Sequence, residues 1–248
     1  MRSVAFIPAR SGSKRVPHKN IMEVAGHPMM AYSIRAALDS GVFDTVICAT
    51  DSQEYADIAV HYGAEVPFLR SAEISGDKSP DIQWVKWMLQ QLAETGRDFD
   101  AFSILRPTSP FRLSQTIQRA WAVFSNAPHA DSLRAVEKCK QHPGKMWMVQ
   151  GDRMLPLLPY SNSDTPWHSS QYAALPEIYV QNASLEIAWT RVPREGSSIA
   201  GQAILPFISQ GMEGFDINDP EDIYLAERMI AEGQGNLPEI TIPAYQKS

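Results

Sequence analysis

Cysteine is scarce in this chain: two in 248 residues, Cys48 and Cys139. That excludes a disulfide framework and points to a reducing compartment, the more so because Cys48 lies inside an apolar run. Long apolar stretches are missing as well. No segment approaches the ~20 apolar residues of a membrane helix, and the cations Arg10, Lys14 and Arg15 come too early for a signal peptide. The expectation is a cytoplasmic protein with no membrane partner. Basic residues are outnumbered, 22 Lys and Arg against 28 Asp and Glu, for a formal charge of -6. That balance argues against nucleic acid as a partner. Trp84, Trp87 and Trp121 stand at helical spacing among apolar residues, as core or interface residues do, and make no base-stacking platform. Two glycine fingerprints are also absent, G-x-x-x-x-G-K-[ST] and G-x-G-x-x-G, so neither a Walker loop nor a dinucleotide site is expected.

What is present suits one large domain with an ample core: 44% of residues are hydrophobic. Short apolar runs alternate with amphipathic segments. Strands are expected over residues 3–8, 45–49, 65–70 and 101–105. Helices are expected after Gly26-His27-Pro28 up to Gly41, after Thr50-Asp51 up to Gly63, from Ser79-Pro80, and after Ser114, which can cap its helix. This rhythm predicts an α/β fold with a mostly parallel, doubly wound sheet, whose ligands sit at the C-terminal ends of the strands. From about Asp131 the pattern changes to short strands (SLRAV, EIYVQ, SLEIAW) around a polar, Pro- and Ser-containing stretch. Asp219-Pro220 then starts a last helix, and the tail after Gly233 reads as a loosely packed appendage.

One loop asks for an explanation. FIPARSGSKRVPHKN leaves the first strand and places Arg10, Lys14, Arg15 and Lys19 around Gly12 and Ser13 in an acidic protein. A solvated basic turn is the ordinary fate of such a run. At the ligand edge of a buried strand, however, backbone N–H groups and cations together make a polyphosphate site.

The same loop resembles the signature of the acylneuraminate cytidylyltransferase family, the CMP-sialic acid synthetases and their relatives. The similarity continues in order through ATDS, LRSAEISGD, LRPTSPFR, HPGK, QNASLEI and FDINDPED and spans nearly the whole chain. The resemblance implies a Rossmann-like nucleotidyltransferase fold over residues 1–248, with a dimerisation and acceptor-pocket excursion at about 137–182 and a homodimer. It implies transfer of CMP from CTP to the anomeric hydroxyl of a nonulosonic, sialic acid-like 2-keto sugar acid, with pyrophosphate released. Such chemistry needs charge stabilisation, a metal and alignment, with no covalent nucleophile.

By family position, Arg10, Lys14 and Lys19 bind the triphosphate. Gly12, Ser13, Asn20, Arg70 and Asp77 contact the nucleotide, and Thr108, Ser109 and Asn182 belong with the acceptor. Asp216 matches the first Mg2+-binding aspartate. Asn218 stands where a second aspartate is frequent, and Asp222 is in reserve, while Asp219 and Glu221 are explained by helix capping and the helix dipole. Arg106 replaces a common Gln, and no cation falls near Ser169-Ser170, where the family's carboxylate-binding arginine is expected. One reading is that Arg106 with Lys145 holds the acceptor carboxylate; the other is that Arg106 pairs with a surface acid. His142, before a proline, reads as structural rather than as a base. Two alternatives stay open: activation of another acid such as a 3-deoxy-octulosonate, and a CTP-binding homologue without catalysis.

Overall fold

Strand β1 (Ser3–Pro8) is buried along nearly its whole length in the computed structural model, which describes residues 1–13, 16–159 and 164–247. A small hairpin, β2 (Glu23–Val24) with β3 (His27–Pro28), leads into α1 (Met29–Ser40). β4 (Thr45–Ala49), α2 (Gln53–His61), α3 (Asp81–Glu94), β5 (Ala101–Ile104) and α4 (Ser114–Ser125) follow. After them come β6 (Ser132–Lys138), β7 (Trp147–Gln150), β8 (Arg153–Pro156), β9 (Tyr179–Trp189), α5 (Arg191–Glu195), β10 (Ile204–Ile208) and α6 (Pro220–Ala231). The central sheet has the order β10-β6-β9-β5-β1-β4. β1 runs parallel to β4 and β5, and β9 runs antiparallel to β5. The fold is thus α/β with a mostly parallel central sheet, as the alternating pattern implies.

Alternation along β1 builds both faces, because successive side chains point to opposite sides of a strand. Ala5 and Ile7 face Met30, Ile34, Tyr55, Ile117 and Phe124 of α1, α2 and α4. Val4 and Phe6 face Trp84, Val85, Met88, Leu89 and Leu92 of α3. Each such fully buried side chain contributes about 1.5–3 kcal/mol, so Leu89→Ala would cost about 2–5 kcal/mol. α1 stops at Gly41, whose φ of 62° is left-handed and whose N–H reaches Leu38 O at 3.3 Å. A third apolar cluster joins Val24, Met29, Tyr32, Phe111, Ile217 and Ala226 beneath α6.

Four local expectations are corrected. Residues 65–70 form no strand. Glu65 bridges Ile47, but Pro67 has no N–H to continue a ladder. The N-cap of α4 is Leu113, and the Ser114 hydroxyl bonds Gln115 instead. The two runs expected at residues 177–181 and 184–189 are one strand, β9. The tail is tied down: His61 Nε2 lies 2.8 Å from Pro243 O, Tyr245 N donates to the Tyr62 hydroxyl at 3.2 Å, and Ile240 and Tyr245 pack on the core.

The chain divides into two compact units, Met1–Ala135 with Asn182–Ser248, and Val136–Gln181. In the second, β7 and β8 form an antiparallel hairpin and Cys139 N donates to Ile178 O at 2.9 Å. His142 is buried, taking the Gly144 N–H on Nδ1 at 3.0 Å and facing Pro176 O at 3.1 Å, the structural role its position suggests. Lys145 donates to the carbonyls of His168 and Ser170 and lies over the Tyr172 ring. Among the described residues no helix is long and apolar enough to cross a membrane.

Candidate functional site

The C-terminal ends of β1 and β5 open onto a cleft of about 710 Å³ in the larger unit. Pro8, Arg10, Ser13, Lys19 and Asn20 line it from the first loop, and Arg70, Asp77, Asp81 and Trp84 from the segment entering α3. Arg106, Pro107 and Thr108 line it after β5, Ala183 on β9, and Asp216 and Asn218 before α6.

Polar anchors shape the first loop. Asp51, just after β4, accepts the Ser11 N–H at 2.8 Å and the Ser11 hydroxyl at 3.2 Å. Asn20 Nδ2 donates to Arg10 O at 3.0 Å. The Ser13 N–H turns back to Ser11 O at 3.1 Å, so two of the loop's backbone donors are used within the protein and the cleft's positive character comes mainly from side chains. The Arg10 guanidinium pairs with Asp77. Lys19 Nζ donates to Ile217 O at 2.8 Å, and Ile217 N donates to Thr108 O at 2.8 Å. Three segments far apart in sequence are thereby held at one wall.

Asp216 has hard-ion character. Its Oδ2 accepts from Asn218 Nδ2 at 2.8 Å, while its buried Oδ1 takes no hydrogen bond from any of the described residues. A buried carboxylate oxygen without a donor is costly unless a cation completes it. Among the described residues no group of three or more His, Cys, Asp and Glu side chains gathers here. The donor set is therefore one carboxylate and an amide, which suits an ion that takes its remaining ligands from phosphates and water. Asp222 is engaged elsewhere. Its Oδ2 accepts the N–H groups of Asn218 at 2.7 Å and Asp219 at 3.2 Å, and Asp219 Oδ1 accepts the Asp222 N–H at 3.1 Å, closing a capping box at α6.

Two arginines furnish the other wall, and a third is buried beneath them. Arg70 lies over the Trp84 ring, 5.1 Å from its centroid, and donates to Ile74 O at 2.6 Å; burial pulls its pKa below the ordinary arginine value. Arg106 shares its Nη2 between Asp81 Oδ2 at 2.5 Å and Glu186 Oε1 at 3.0 Å. Burial opposes its charge, but the two carboxylates outweigh burial and hold its pKa above the usual value. Burial likewise works against the Asp81 charge, yet Arg106 and the Trp84 indole together hold its pKa below the usual carboxylate range. Beneath them lies Arg112, 1% exposed, donating to the Ser33 hydroxyl at 2.7 Å, to Arg106 O at 3.3 Å and to Ser184 O. Its desolvation brings the pKa down to about 9.

Of the residues expected at a site, the cleft wall brings together Arg10, Ser13, Lys19, Asn20, Arg70, Asp77, Arg106, Thr108, Asp216 and Asn218. Gly12, Ser109, Asn182 and Asp222 do not line it. Ser109 is 1% exposed, and Asn182 binds the Ser209 hydroxyl at 3.0 Å while accepting from Ser184. Lys145 belongs to the second unit. Lys14 lies outside the described residues. Sequence reasoning missed Asp51 as the anchor of the first loop, Asp81 and Glu186 as partners of Arg106, and Arg112 as the buried cation under LRPTSPFR. A polar or charged residue inside a strand pattern, as Glu186 is, was the one available signal.

A family model described as cytidylyltransferase matches residues 4–142. The chain is 34% identical over 237 residues to the CMP-N,N'-diacetyllegionaminic acid synthase of Legionella pneumophila subsp. pneumophila, covering 94% of this chain and 98% of that protein. It is 31% identical over 226 residues to the N-acylneuraminate cytidylyltransferase of Escherichia coli O18:K1:H7, covering 90% of this chain but only 51% of that longer protein. In fold it resembles a CMP:2-keto-3-deoxy-manno-octonic acid synthetase solved with CTP, with a TM-score of 0.67 at 15% identity, over 94% of this chain and 100% of that one.

Proposed function

This chain belongs to the cytidylyltransferase family, and on that premise we propose that it transfers CMP from CTP to the anomeric hydroxyl of a nonulosonic 2-keto sugar acid, releasing pyrophosphate. The observation that carries this reading is the convergence, in one cleft, of Arg10 and Lys19 with the unpartnered buried Oδ1 of Asp216.

In the reaction the hydroxyl oxygen attacks the α-phosphorus, its proton is lost, and the bond to the bridging oxygen breaks with its electrons going to pyrophosphate. Charge builds on the leaving group. Arg10 and Lys19 counter it from the loop after β1, and the Asp51 and Asn20 anchors keep that loop in place so that little reorganisation is needed. Arg70, stacked on Trp84, faces the same cleft and supplies a nucleotide contact. Asp216, with the Asn218 amide beside it, would hold Mg2+, which takes one or two carboxylates together with substrate phosphates. Such an ion supplies neutralisation of phosphate charge. Asp222 remains the cap of α6. A second copy of the chain is the proposed partner of the second unit, where Trp147, Met148, Val149, Met154 and Leu155 are exposed at 38%, 45%, 71%, 55% and 44%. The two free cysteines suit the cytoplasm.

The test is pyrophosphate release from CTP with magnesium across N-acetylneuraminate, pseudaminate, N,N'-diacetyllegionaminate and 3-deoxy-octulosonates. Release with one of the nine-carbon acids is expected. Lys19→Ala should then lower kcat/KM for CTP about 10- to 150-fold, the equivalent of a charge-assisted contact of about 1.5–3 kcal/mol. CTP binding with no release from any acid would overturn the reading.

A further inference from the structure

The loop that carries Arg10 and Lys19 is tied twice to the junction of β4 and α2. Asp51 holds its near end through Ser11. Its far end is held by His18, whose Nδ1 lies 3.1 Å from the Tyr55 hydroxyl, with the two rings 6.3 Å apart. Tyr55 stands in the first turn of α2, 0% exposed, and its N–H is taken by the Ser52 cap. The core fixes its ring, so the hydroxyl at the tip is a rigid anchor. A neutral imidazole accepts the phenol proton on Nδ1, and an imidazolium donates from the same atom to the phenol oxygen, so the bond survives in either state. Neither His18 nor Tyr55 lines the cleft.

His18 also bends the chain. Its φ of 55° and ψ of 26° are left-handed, a conformation that is costly for a residue with a Cβ and persists where the surroundings hold it. Directly after the bend, Lys19–Ile21 form a short 3-10 turn, in which Ile21 N donates to His18 O at 2.9 Å and Met22 N to Lys19 O at 3.2 Å. That turn sends Lys19 Nζ to Ile217 O at 2.8 Å, the carbonyl next to Asp216, and Asn20 Nδ2 back to Arg10 O at 3.0 Å. A negative φ at His18 would turn Lys19 and Asn20 away from both partners. We infer that His18 is a positioning residue for the phosphate end of the cleft: clamped on Tyr55, it holds the left-handed bend that aims Lys19 and seats Asn20. α2 thereby takes part in nucleotide binding without touching the nucleotide. This rests on the cytidylyltransferase reading above and adds to it a residue that acts only through its neighbours.

The test compares CTP with CMP, their affinities measured by calorimetric titration in magnesium. Tyr55→Phe removes the hydroxyl and keeps the buried ring. CTP should bind this variant about 3- to 10-fold more weakly, the weight of one neutral hydrogen bond. CMP, which lacks the leaving phosphates that Lys19 faces, should change by less than about twofold. His18→Ala loses the clamp and puts at the bend a residue less often found left-handed, so CTP affinity should fall about 10- to 50-fold. His18→Gly, at ease with a positive φ, should recover part of that loss. Adding Tyr55→Phe to His18→Ala should change CTP affinity by less than about twofold further, because the clamp is already gone. Unchanged CTP affinity in Tyr55→Phe, equal losses of CTP and CMP, losses that multiply in the double variant, or no recovery in His18→Gly would overturn the inference. Pyrophosphate release from CTP is followed separately with the acids named above. A CTP-selective loss in a protein that turns over no acid leaves the inference standing and removes the catalytic reading. Turnover with CTP affinity unmoved in Tyr55→Phe does the reverse, and a wild-type protein that binds no CTP removes both.

Discussion

Placing a second carboxylate beside Asp216 tests the metal assignment more sharply than removing the first. In Asn218→Asp the donor that now reaches Asp216 Oδ2 at 2.8 Å becomes an acceptor of like charge. At an effective dielectric of ~20, two charges at that separation repel by about 6 kcal/mol, falling to about 4 kcal/mol if the side chains part to ~4 Å. Both residues are half-buried, so solvent screening and rotation reduce this to a net cost of about 1–3 kcal/mol. For a chain of this size that lowers Tm by about 2–12 °C. A divalent cation should reverse the sign of the effect, since it gains a second charged ligand at the same place. Binding to the folded state at a hundredfold excess over Kd adds about 2.7 kcal/mol, enough to offset most of the cost. The assay is thermal unfolding of both proteins in chelator and in excess magnesium, with kcat/KM measured at limiting magnesium. The variant should be less stable in chelator, gain more from magnesium than the wild-type protein, and saturate at lower metal concentration. Equal stability of the two proteins in chelator would refute the electrostatic reasoning. Destabilisation that magnesium leaves untouched would refute Asp216 as the metal ligand.

Three further outcomes follow from the same structure. Arg112→Lys keeps a buried charge but loses the fork that joins α1, the loop after β5 and β9, so at least one charge-assisted bond of about 1.5–3 kcal/mol is lost; urea unfolding should register a loss of about 2 kcal/mol, and a change under ~0.5 kcal/mol would show that the fork carries no weight. Burial works against the Glu213 charge, but Arg119 at 2.8 and 3.0 Å, Thr116 at 2.6 Å and Gln210 N at 2.8 Å hold its pKa below the ordinary glutamate value. A depressed carboxylate stabilises the fold above its unfolded pKa and loses that contribution as pH falls through its folded value. Glu213→Gln should therefore cost stability at pH ~7 and progressively less below pH ~4.5, and a pH-independent cost would refute the ion-pair account. If the second unit pairs with a second copy as proposed, Val149→Glu, at a position 71% exposed on β7, should leave the protein sedimenting as a monomer without lowering Tm by more than ~2 °C, surface substitutions costing little in themselves; a dimer that persists in the variant would rule out this face as the interface.

How far the sequence could be read depended on where each residue's partners lie. The first loop was legible because its cations, its small residues and the strand before it are contiguous, and chemistry of that kind announces itself locally. FDINDPED was legible only in part: Asp219 was expected to cap the last helix, but Asp222, held in reserve as a metal ligand, forms the other half of the capping box. Residues 65–70 misled because an extended apolar run is not yet a strand; Pro67 removes a donor, and only the bridge of Glu65 to Ile47 survives. The tail misled in the opposite direction, since its few apolar residues pack only against surfaces assembled from α1 and α2 and the core. Arg106 is the most instructive case. From its neighbours alone an exposed arginine at a strand end is an anion receptor, which is how it reads beside a sugar acid. Its actual electrostatics are decided by β9, whose antiparallel register sets Glu186 opposite Ile104, two residues before Arg106 and therefore on the same face. Asp81 arrives from the helix on the other side. Neither partner is near in sequence, and a one-residue slip of β9 would turn Glu186 to the opposite face and leave Arg106 with Asp81 alone. The type of a site residue is local, whereas its effective charge belongs to the fold.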